Sequence, residues 1–300
     1  MRFFDAAEVA ALGPAAAVRA IGDALRAGLD PAADPARTAV ELTNGQFLLM
    51  PSETTSATGV KIVTVHPGNA DRDLPRIQGT YLLYDRDTLS LRALLDGTAL
   101  TTLRTPAVSV AAVLDHLPDR ALRVAVAGTG PQGTGHVATL AAFRELADAT
   151  YLVRSPTGRP DTVVLGSGAA DDVLRRADVV VCATSAREPL FDSAVLRDDV
   201  VVVAVGSHEP DARELDAALL ARAGVVVEDV ATALREAGDV IQAIDEGALT
   251  RADLLGLSDV VTGRARIGAG RPLVFKSVGM SWEDLVVAEA IVGAGRKESP

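Results

Sequence analysis

The sequence is poor in cysteine, in clustered histidine and in long apolar runs. Of its 300 residues only Cys182 is a cysteine, which excludes an internal disulfide and a cysteine-based zinc site. The four histidines are well separated along the chain, so they offer no metal-ligand spacing and we expect no metal. The sequence has no stretch of about 18 apolar residues without charge, which a membrane-spanning helix needs. We therefore expect no membrane association.

Positive charge is also scarce. The chain has 29 lysines and arginines against 40 aspartates and glutamates, a net charge of −11. So acidic a protein is a poor partner for nucleic acid or for an anionic membrane. The first residues, Met1 to Asp5, lack the basic region and apolar run of a signal peptide. These observations lead us to expect a cytoplasmic protein.

The apolar residues that are present are mostly Ala, Val and Leu, and aromatics make up only 3%. This mixture is typical of parallel strands covered by alanine-rich helices. Residues 5–28 read as helix, and residues 37–92 hold short β-like runs separated by turn residues, which predicts an antiparallel sheet. From residue 122 onward strands and helices alternate, as in a doubly wound parallel sheet.

The predicted fold class is α/β, a Rossmann-type doubly wound domain with a smaller mixed α+β domain for substrate binding and dimerisation. We place the smaller domain at 1–113, with 280–300 packing back on it, and the nucleotide-binding domain at 114–279. A last helix is predicted near 281–294. The strand-like runs of the second domain are 122–127, 149–153, 162–165, 179–183, 200–205, 224–227 and 273–275.

A glycine-rich turn follows the first strand of the second domain. The strand runs into Gly128-Thr129-Gly130-Pro131-Gln132-Gly133, and a helix is predicted from His136 to Leu146. This is G-x-G-x-x-G between strand and helix, the fingerprint of a dinucleotide site. The first glycine permits the turn, the second lets the backbone approach a pyrophosphate, and the third packs helix on strand. The alternative is a turn that serves packing alone.

The end of the second strand bears on which dinucleotide is bound. A site for NAD usually places a carboxylate there, but this strand ends in Arg154-Ser155. An arginine and a hydroxyl suit the 2′-phosphate of NADP(H), which we therefore expect to be preferred, with NAD(H) also possible. The alternative is that Arg154 is a solvated surface arginine.

Two cations stand among apolar residues of the first domain, Lys61 and Arg104. Burying a cation is costly unless an anion meets it. A substrate carboxylate is one such anion, and arginine can bind it through two parallel hydrogen bonds. The alternatives are a lysine on a strand edge and an arginine on a helix surface.

Three groups of motifs follow one another along nearly the whole chain. The first group lies at Met50-Pro51, Gly59-Val60-Lys61, Pro67-Gly68-Asn69, Leu94-Leu95-Asp96-Gly97 and Leu103-Arg104-Thr105. The glycine-rich turn follows, and the last group is Ala204-Val205-Gly206, Arg213-Glu214-Leu215-Asp216, Glu236-Ala237-Gly238-Asp239-Val240 and Phe275-Lys276-Ser277-Val278-Gly279-Met280. Through these motifs, in this order, the chain resembles the ornithine cyclodeaminase/mu-crystallin family over nearly its whole length.

The resemblance implies a homodimer whose first domain forms the dimer sheet and whose second domain binds NAD(P)(H). It implies that Arg37, Lys61 and Arg104 hold a substrate carboxylate, Arg37 being the least distinctive match. It also implies cofactor contacts along the second domain. Those contacts would come from Gly128, Gly130, Pro131, Gln132, Gly133, Thr184, Ser185, Val205, Gly206, Lys276 and Gly279.

One position departs from the cyclodeaminases of the family. There an aspartate follows the Val-Gly pair by two residues and handles the amine chemistry, whereas this chain has His208. The departure argues for simple imine reduction, with Lys61 and His208 as candidate catalytic residues; His208 could also line the site without exchanging protons. We therefore expect an NADPH-dependent oxidoreductase that reduces a small cyclic imine acid, such as pyrroline- or piperideine-2-carboxylate, to an L-amino acid. The alternatives are an alanine-type amino-acid dehydrogenase, an ornithine cyclodeaminase and a non-catalytic NADPH-binding protein of the crystallin type.

Overall fold

The computed structural model describes residues 1–297 and divides into two compact units. Unit 1 is Met1–Val108 together with the chain from Met280 onward, and unit 2 is Ser109–Gly279. The division falls inside a helix, Gly97–Val113, so no loop marks it in the sequence. Of the segment 280–300 that we expect to pack back on the first domain, residues 298–300 lie outside the described residues.

Unit 1 is built on a mixed sheet of six strands in the order β1-β6-β5-β4-β3-β2. Strands β2 to β6 form the predicted antiparallel sheet. Strand β1, which the sequence did not reveal, pairs parallel to β6. The strands are β1 (Arg2–Phe4), β2 (Thr38–Leu42), β3 (Gly45–Glu53), β4 (Ala57–Val65), β5 (Ile77–Asp85) and β6 (Leu91–Asp96).

Helices cover one face of this sheet. The predicted helix over 5–28 is two helices, because Gly13 adopts a left-handed φ of 76° and Pro14 starts a new helix. The last helix lies against the second one and against β3, β4 and β5. Alternate residues of β4 are buried on that side. The helices of unit 1 are α1 (Ala6–Ala10), α2 (Pro14–Arg26), α3 (Gly97–Val113, which continues into unit 2) and α10 (Ser281–Lys297).

Unit 2 is a parallel sheet of eight strands in the order β13-β12-β14-β11-β10-β7-β8-β9. The valine-rich central strands are buried on both faces, as expected for a sheet between two helical layers. Strand β13 is an addition to the predicted set. The strands are β7 (Leu122–Ala127), β8 (Leu146–Val153), β9 (Thr162–Val164), β10 (Val179–Cys182), β11 (Val201–Ala204), β12 (Gly224–Val227), β13 (Leu254–Gly256) and β14 (Leu273–Lys276).

The strand order reverses next to β7. The chain passes from β7 to β8 and β9 on one side and then returns to β10 on the other, so the switch point of the sheet lies between β7 and β10. In open α/β sheets ligands bind at such a point, beyond the carboxyl ends of the strands. The helices of unit 2 are α4 (Pro131–Ala141), α5 (Gly168–Arg176), α6 (Ala217–Arg222), α7 (Val230–Glu236), α8 (Gly238–Asp245) and α9 (Leu257–Val261).

These observations confirm the predicted fold class, a Rossmann-type doubly wound sheet with a smaller mixed α+β unit. One helix was wrongly placed: α4 begins at Pro131 and ends at Ala141, whereas the prediction ran from His136 to Leu146. Proline lacks the N–H that would be unpaired at a helix start and has a helical φ, so it suits the first position. Among the helices of residues 1–297, none combines the length and apolarity needed to cross a bilayer.

Candidate functional site

Two glycines of the glycine-rich turn are required by the fold itself. Gly128 directly follows β7 and has a left-handed φ of 107°, and a Cβ added there would lie 2.5 Å from the Ala183 carbonyl oxygen. A Cβ at Gly133 would collide with the carbonyl oxygen of Gly128. These two positions therefore accept only glycine for reasons of turn conformation and close packing.

Gly130 is different. Its backbone is extended, with φ −75° and ψ −179°, a conformation open to any residue. A Cβ added there would meet no protein atom within 4 Å. Packing therefore explains Gly128 and Gly133 but not Gly130, whose missing side chain leaves open space at the switch point. This is the space that a dinucleotide pyrophosphate needs to approach the backbone.

The start of helix α4 is also prepared for an anion. Gly130 is its N-cap and supplies no side-chain hydrogen bond, and the first turn contains no acidic residue. Helices α5, α6 and α7 differ, since side chains cap them, those of Ser167, Asp216 and Asp229. Helices α8 and α9 also lack a side-chain cap, but each has an acidic residue in its first turn. An uncapped helix start presents free N–H groups and the positive end of the helix dipole to a ligand. The residues present thus fit the phosphates of a nicotinamide dinucleotide.

The turns after β10 and β11 are locked together by one buried carboxylate, Glu214. Its Oε1 accepts from the N–H of Thr184 at 2.8 Å and from its hydroxyl at 2.7 Å. Its Oε2 accepts from the N–H of Gly206 at 2.8 Å. Burial raises the pKa of Glu214, against the opposing charge of Lys276. The carboxylate holds in one place the two turns that carry the expected cofactor contacts Thr184, Ser185, Val205 and Gly206.

A second buried carboxylate, Glu228, shapes the turn after β14. It accepts from the hydroxyl of Ser277 at 2.7 Å and from the N–H groups of Val278 at 2.8 Å and Gly279 at 3.0 Å. Gly279 has a left-handed φ of 77°, which favours glycine at this position. The backbone of the expected contact Gly279 is therefore fixed from inside unit 2.

The ammonium of Lys276 lies inside unit 2. It is fully buried, 3.0 Å from Asp239 Oδ2, and donates at 2.6 Å to the carbonyl oxygen of Ser207. Asp239 in turn accepts from the N–H groups of Glu214 and Leu215. We expect Lys276 to approach the cofactor, but its charge is used inside the protein, so only its main chain is suited to that contact.

Three further expected residues are exposed on turns of unit 2. Arg154 and Ser155 directly follow β8, the neighbour of β7. His208 lies in the turn after β11, beside the buried Ser207, whose hydroxyl donates to the Ala212 carbonyl oxygen at 2.6 Å. Each thus follows a strand of the parallel sheet at its carboxyl end, where α/β sheets bind their ligands.

In unit 1 the two predicted anion-binding cations lie in one buried cluster. Lys61 of β4 and Arg104 of α3 have side-chain exposures of 2% and 6%. Lys61 Nζ lies 2.7 Å from Asp284 Oδ2 and donates to the Thr101 hydroxyl at 3.2 Å. Arg104 donates to Glu283 at 2.5 Å. The anions that meet these cations are therefore carboxylates of helix α10, a partner that sequence reasoning did not find.

The electrostatics of this cluster are unusual. Burial lowers the pKa of Lys61 to about 8, although the charge of Asp284 acts to raise it. Burial also raises the pKa of Asp34 to about 6, opposed by the hydrogen bond that the N–H of Trp282 donates to it. Shifts of this size occur where titratable groups share a desolvated site. Arg37, the third expected anchor, is half-buried and immediately precedes β2.

Several functional candidates were missed by sequence reasoning. In unit 1 they are Asp34, Glu283 and Asp284, and in unit 2 they are Glu214, Glu228 and Asp239. One signal was available for the first group, because an acidic pair precedes an apolar run at the start of the last helix, Ser281-Trp282-Glu283-Asp284-Leu285-Val286-Val287. Charged residues in such a setting are rarely buried without partners.

Known proteins resemble this chain over most of its length. The family model described as the ornithine cyclodeaminase/mu-crystallin family matches residues 8–297. A Delta(1)-pyrroline-2-carboxylate reductase 2 of Burkholderia ambifaria is 34% identical over 297 residues, covering 94% of this chain and 92% of the relative. A Delta(1)-pyrroline-2-carboxylate/Delta(1)-piperideine-2-carboxylate reductase of Azospirillum brasilense is 36% identical, covering 94% and 92%.

A solved structure is similar over the whole length. It is the Delta(1)-pyrroline-2-carboxylate reductase of Thermococcus litoralis in complex with NADH and L-proline. Its TM-score is 0.86 and its sequence identity 25%, and the match covers 99% of this chain and 98% of that one.

Proposed function

Because the chain belongs to the ornithine cyclodeaminase/mu-crystallin family, we propose that it is an NADPH-dependent reductase of a small cyclic imine carboxylate. The product would be the corresponding L-amino acid. The relatives named above act on five- and six-membered imines of this kind. Ring size is left open by the proposal, because the Azospirillum relative takes both.

The observation that carries reduction over cyclodeamination is the residue at position 208. An aspartate handles the amine chemistry there in the cyclodeaminases that the sequence resembles, and this chain has an exposed histidine. The buried carboxylates nearest to that turn, Glu214 and Asp239, bind main-chain N–H groups instead. Reduction of an imine needs a carboxylate anchor, a hydride and a proton, and it requires no base for ring closure.

Unit 1 is proposed to bind the substrate carboxylate through Arg37, Lys61 and Arg104. Arginine and lysine bind a carboxylate through charge-assisted hydrogen bonds. A buried ion cluster usually stabilises a fold less than apolar packing would, so its presence in the core of unit 1 favours a functional use of its charges. Binding by these residues would hold the imine carbon in one orientation, and positioning supplies much of the rate.

Unit 2 is proposed to bind the cofactor through the turns described above. A nicotinamide cofactor supplies the hydride when bound. The proton for the imine nitrogen has two candidate donors on this chain, Lys61 and His208. The proposed cofactor contacts are Gly128, Gly130, Pro131, Gln132, Gly133, Thr184, Ser185, Val205, Gly206, Gly279 and the main chain of Lys276.

The preference for NADPH rests on Arg154 and Ser155. Both follow the second strand of the nucleotide-binding sheet and are exposed, where a 2′-phosphate could be met by a guanidinium and a hydroxyl. The Thermococcus relative was crystallised with NADH, so the preference is a property proposed for this chain and not for the family.

A homodimer is proposed through the open face of the unit 1 sheet. Strands β3, β4 and β5 bury one set of alternate residues against helices, while the other set contains half-exposed apolar residues among threonines and Gln78. Leu49, Ile62 and Leu82 belong to that second set. An apolar sheet face of this kind is typical of a subunit interface. Light scattering should give twice the mass of one chain, and Ile62→Asp should halve it.

A substrate panel tests the proposed reaction. Pyrroline-2-carboxylate, piperideine-2-carboxylate and pyruvate with ammonia would each be offered with NADPH and with NADH, and ornithine would be assayed for ammonia release. We expect turnover of a cyclic imine with NADPH. Preferred turnover of pyruvate with ammonia would indicate an amino-acid dehydrogenase, ammonia release from ornithine a cyclodeaminase, and NADPH binding without any turnover a non-catalytic protein.

A further inference from the structure

One carboxylate in unit 1 contacts both buried cations. Asp284 Oδ2 lies 2.7 Å from Lys61 Nζ, and Oδ1 of the same side chain lies 3.3 Å from Arg104 Nε. The side chain of Asp284 is completely buried. The two cations come from different elements, β4 and α3, and Asp284 contacts both of them.

The main chain at the start of helix α10 is held firmly. The N–H of Met280 donates to Glu283 Oε1 at 3.1 Å, and the N–H of Trp282 donates to Asp34 Oδ2 at 3.0 Å. Glu283 Oε2 accepts from Arg104 at 2.5 Å. These bonds satisfy N–H groups at a helix start, which are otherwise unpaired. Asp284 therefore projects from a backbone with little freedom to shift.

Burial strongly disfavours the charged form of Lys61, so the neighbouring charges decide whether it is protonated. Burial disfavours the ammonium, and so does the neighbouring charge of Arg104, whereas Asp284 and Glu283 favour it. Of the groups that favour the ammonium, Asp284 acts most strongly. The groups packed around this cluster are Asp284 and Glu283 of α10, Arg104 and Thr101 of α3, Tyr81 of β5, and Asp34.

We propose that Asp284 is a positioning residue, which fixes the spacing of Lys61 and Arg104 and keeps Lys61 in its ammonium form for the substrate carboxylate. Its action on substrate is indirect, through the two cations. The part concerning substrate rests on the proposed function, whereas the part concerning the protonation of Lys61 is a property of unit 1 alone and can be measured without substrate.

The first test reads the protonation of Lys61 directly. The chain has three lysines, at positions 61, 276 and 297, so protein labelled with 13C at lysine Cε gives a simple NMR spectrum. Lys61→Arg assigns the signal. An opposite charge within about 4–6 Å shifts a pKa by about 1–3 units, so Asp284→Asn should lower the titration midpoint of Lys61 by at least about one pH unit.

Glu283→Gln is the matched control. It removes a carboxylate from the adjacent position of the same helix turn, but Glu283 pairs with Arg104, whose guanidinium does not titrate. We expect a shift in the Lys61 midpoint less than half of that in Asp284→Asn. An unchanged midpoint in Asp284→Asn, or equal shifts in the two variants, would overturn the proposal that Asp284 governs Lys61.

The second readout is the imine reductase activity of the variants, compared with that of the wild type. In Asp284→Asn the decrease of kcat/KM at basic pH should begin at lower pH than in the wild type. Near pH 8 the kcat/KM of the variant should be about tenfold below that of the wild type. The difference should become smaller toward pH 6, where Lys61 is charged in both proteins. The Kd for NADPH should remain that of the wild type. If no imine is turned over by any variant, the proposed function fails, while the NMR result still decides the role of Asp284.

Asp284→Glu keeps the charge and tests positioning by itself. The midpoint of Lys61 should stay within about half a unit of the wild type, while KM for the imine should rise at least about fivefold because the longer side chain alters the spacing of the two cations. A wild-type KM in this variant would overturn the positioning role. If Asp284→Asn does not fold, Asp284→Glu still tests the proposal. Its Lys61 titration midpoint reports the effect of the charge, and its KM reports the effect of the spacing.

Discussion

His136 and Ser109 are joined by a buried hydrogen bond of 2.9 Å between the imidazole Nε2 and the Ser109 hydroxyl. The other ring nitrogen, Nδ1, lies 2.7 Å from the Gln132 carbonyl oxygen. A carbonyl can only accept, so Nδ1 carries a proton. Burial lowers the pKa of His136 to about 4, so the ring is neutral near pH 7 and Nε2 accepts from the hydroxyl. The bond ties helix α4, whose start we propose to bind phosphate, to helix α3.

This arrangement predicts a loss of stability in acid. The pKa of His136 falls from an ordinary 6.5 to about 4 on folding, so between these values the unfolded chain binds more protons than the folded one. The free energy of unfolding should therefore decrease as the pH falls from 6.5 to 4, by about 3 kcal/mol from this residue. Chemical denaturation across that pH range measures it.

His136→Gln is the comparison, because glutamine can both donate and accept without titrating. Its free energy of unfolding should fall less steeply across the same range, by that difference of about 3 kcal/mol. Equal slopes in the two proteins would show that His136 does not stay neutral in the fold.

Alanine substitutions at two glycines of the glycine-rich turn should have different effects, one on cofactor binding and one on stability. Gly130→Ala introduces a Cβ that no protein atom opposes, so the melting temperature should stay close to that of the wild type. The same Cβ would occupy the space of the pyrophosphate, and the Kd for NADPH should rise by at least about tenfold. Fluorescence titration with NADPH gives the value.

Gly128→Ala provides the contrast. The left-handed backbone and the nearby Ala183 carbonyl oxygen should make this variant less stable by about 1–3 kcal/mol, with or without NADPH. If Gly130→Ala bound NADPH as tightly as the wild type, the turn would not be a dinucleotide site.

The proposed NADPH preference predicts a cofactor-selective effect of Arg154. Arg154→Ala should reduce kcat/KM for NADPH by on the order of tenfold or more, since a hydrogen bond to a charged phosphate is lost. The value for NADH, which has no 2′-phosphate, should change little. Steady-state rates with both cofactors on one imine give the ratio.

Arg159→Ala is a suitable control for that experiment. Arg159 lies on the same loop, but it pairs with Asp161 and stacks over the ring of Tyr151. Its removal should leave the ratio of NADPH to NADH unchanged. If Arg159→Ala lost the NADPH preference and Arg154→Ala kept it, the 2′-phosphate would be bound by Arg159 and the proposal for Arg154 would be wrong.

Replacement of His208 should change kcat and leave KM almost unchanged. If the imine nitrogen receives its proton from this exposed side chain, His208→Gln should lower kcat by on the order of a hundredfold and flatten the pH profile near neutrality. Pre-steady-state rates with a deuterated cofactor would show whether the hydride step is the one slowed. A wild-type kcat would leave Lys61 as the proton donor.

The sequence predicted the parts of this fold that depend on local pattern. Buried strands such as Val179–Cys182 and the G-x-G-x-x-G turn carry their own signals, as hydrophobic runs and as glycines between strand and helix. Short elements such as Arg2–Phe4 and Leu254–Gly256 were missed. Their pairing with β6 and β12 is decided by tertiary contacts and leaves little trace in three residues.

The candidate site was harder to predict for a similar reason. Lys61 and Arg104 stand out as cations among apolar residues, but their partner Asp284 lies far along the chain in another element. The same holds for Lys276, whose ammonium meets Asp239 inside unit 2. A sequence shows which residue types are present, whereas the partner that a buried charged side chain contacts depends on which elements pack together.

The most direct test of the central proposal, a reductase that recognises its imine by the carboxylate, compares two substrates that differ only in that group. Loss of nicotinamide absorbance would be followed with NADPH on pyrroline-2-carboxylate and on 1-pyrroline, in which hydrogen replaces the carboxylate. We expect kcat/KM to be at least about a hundredfold higher for the carboxylated imine, since charge-assisted bonds to it would be lost. Equal values for the two imines, or no oxidation of NADPH with either, would contradict the proposed function.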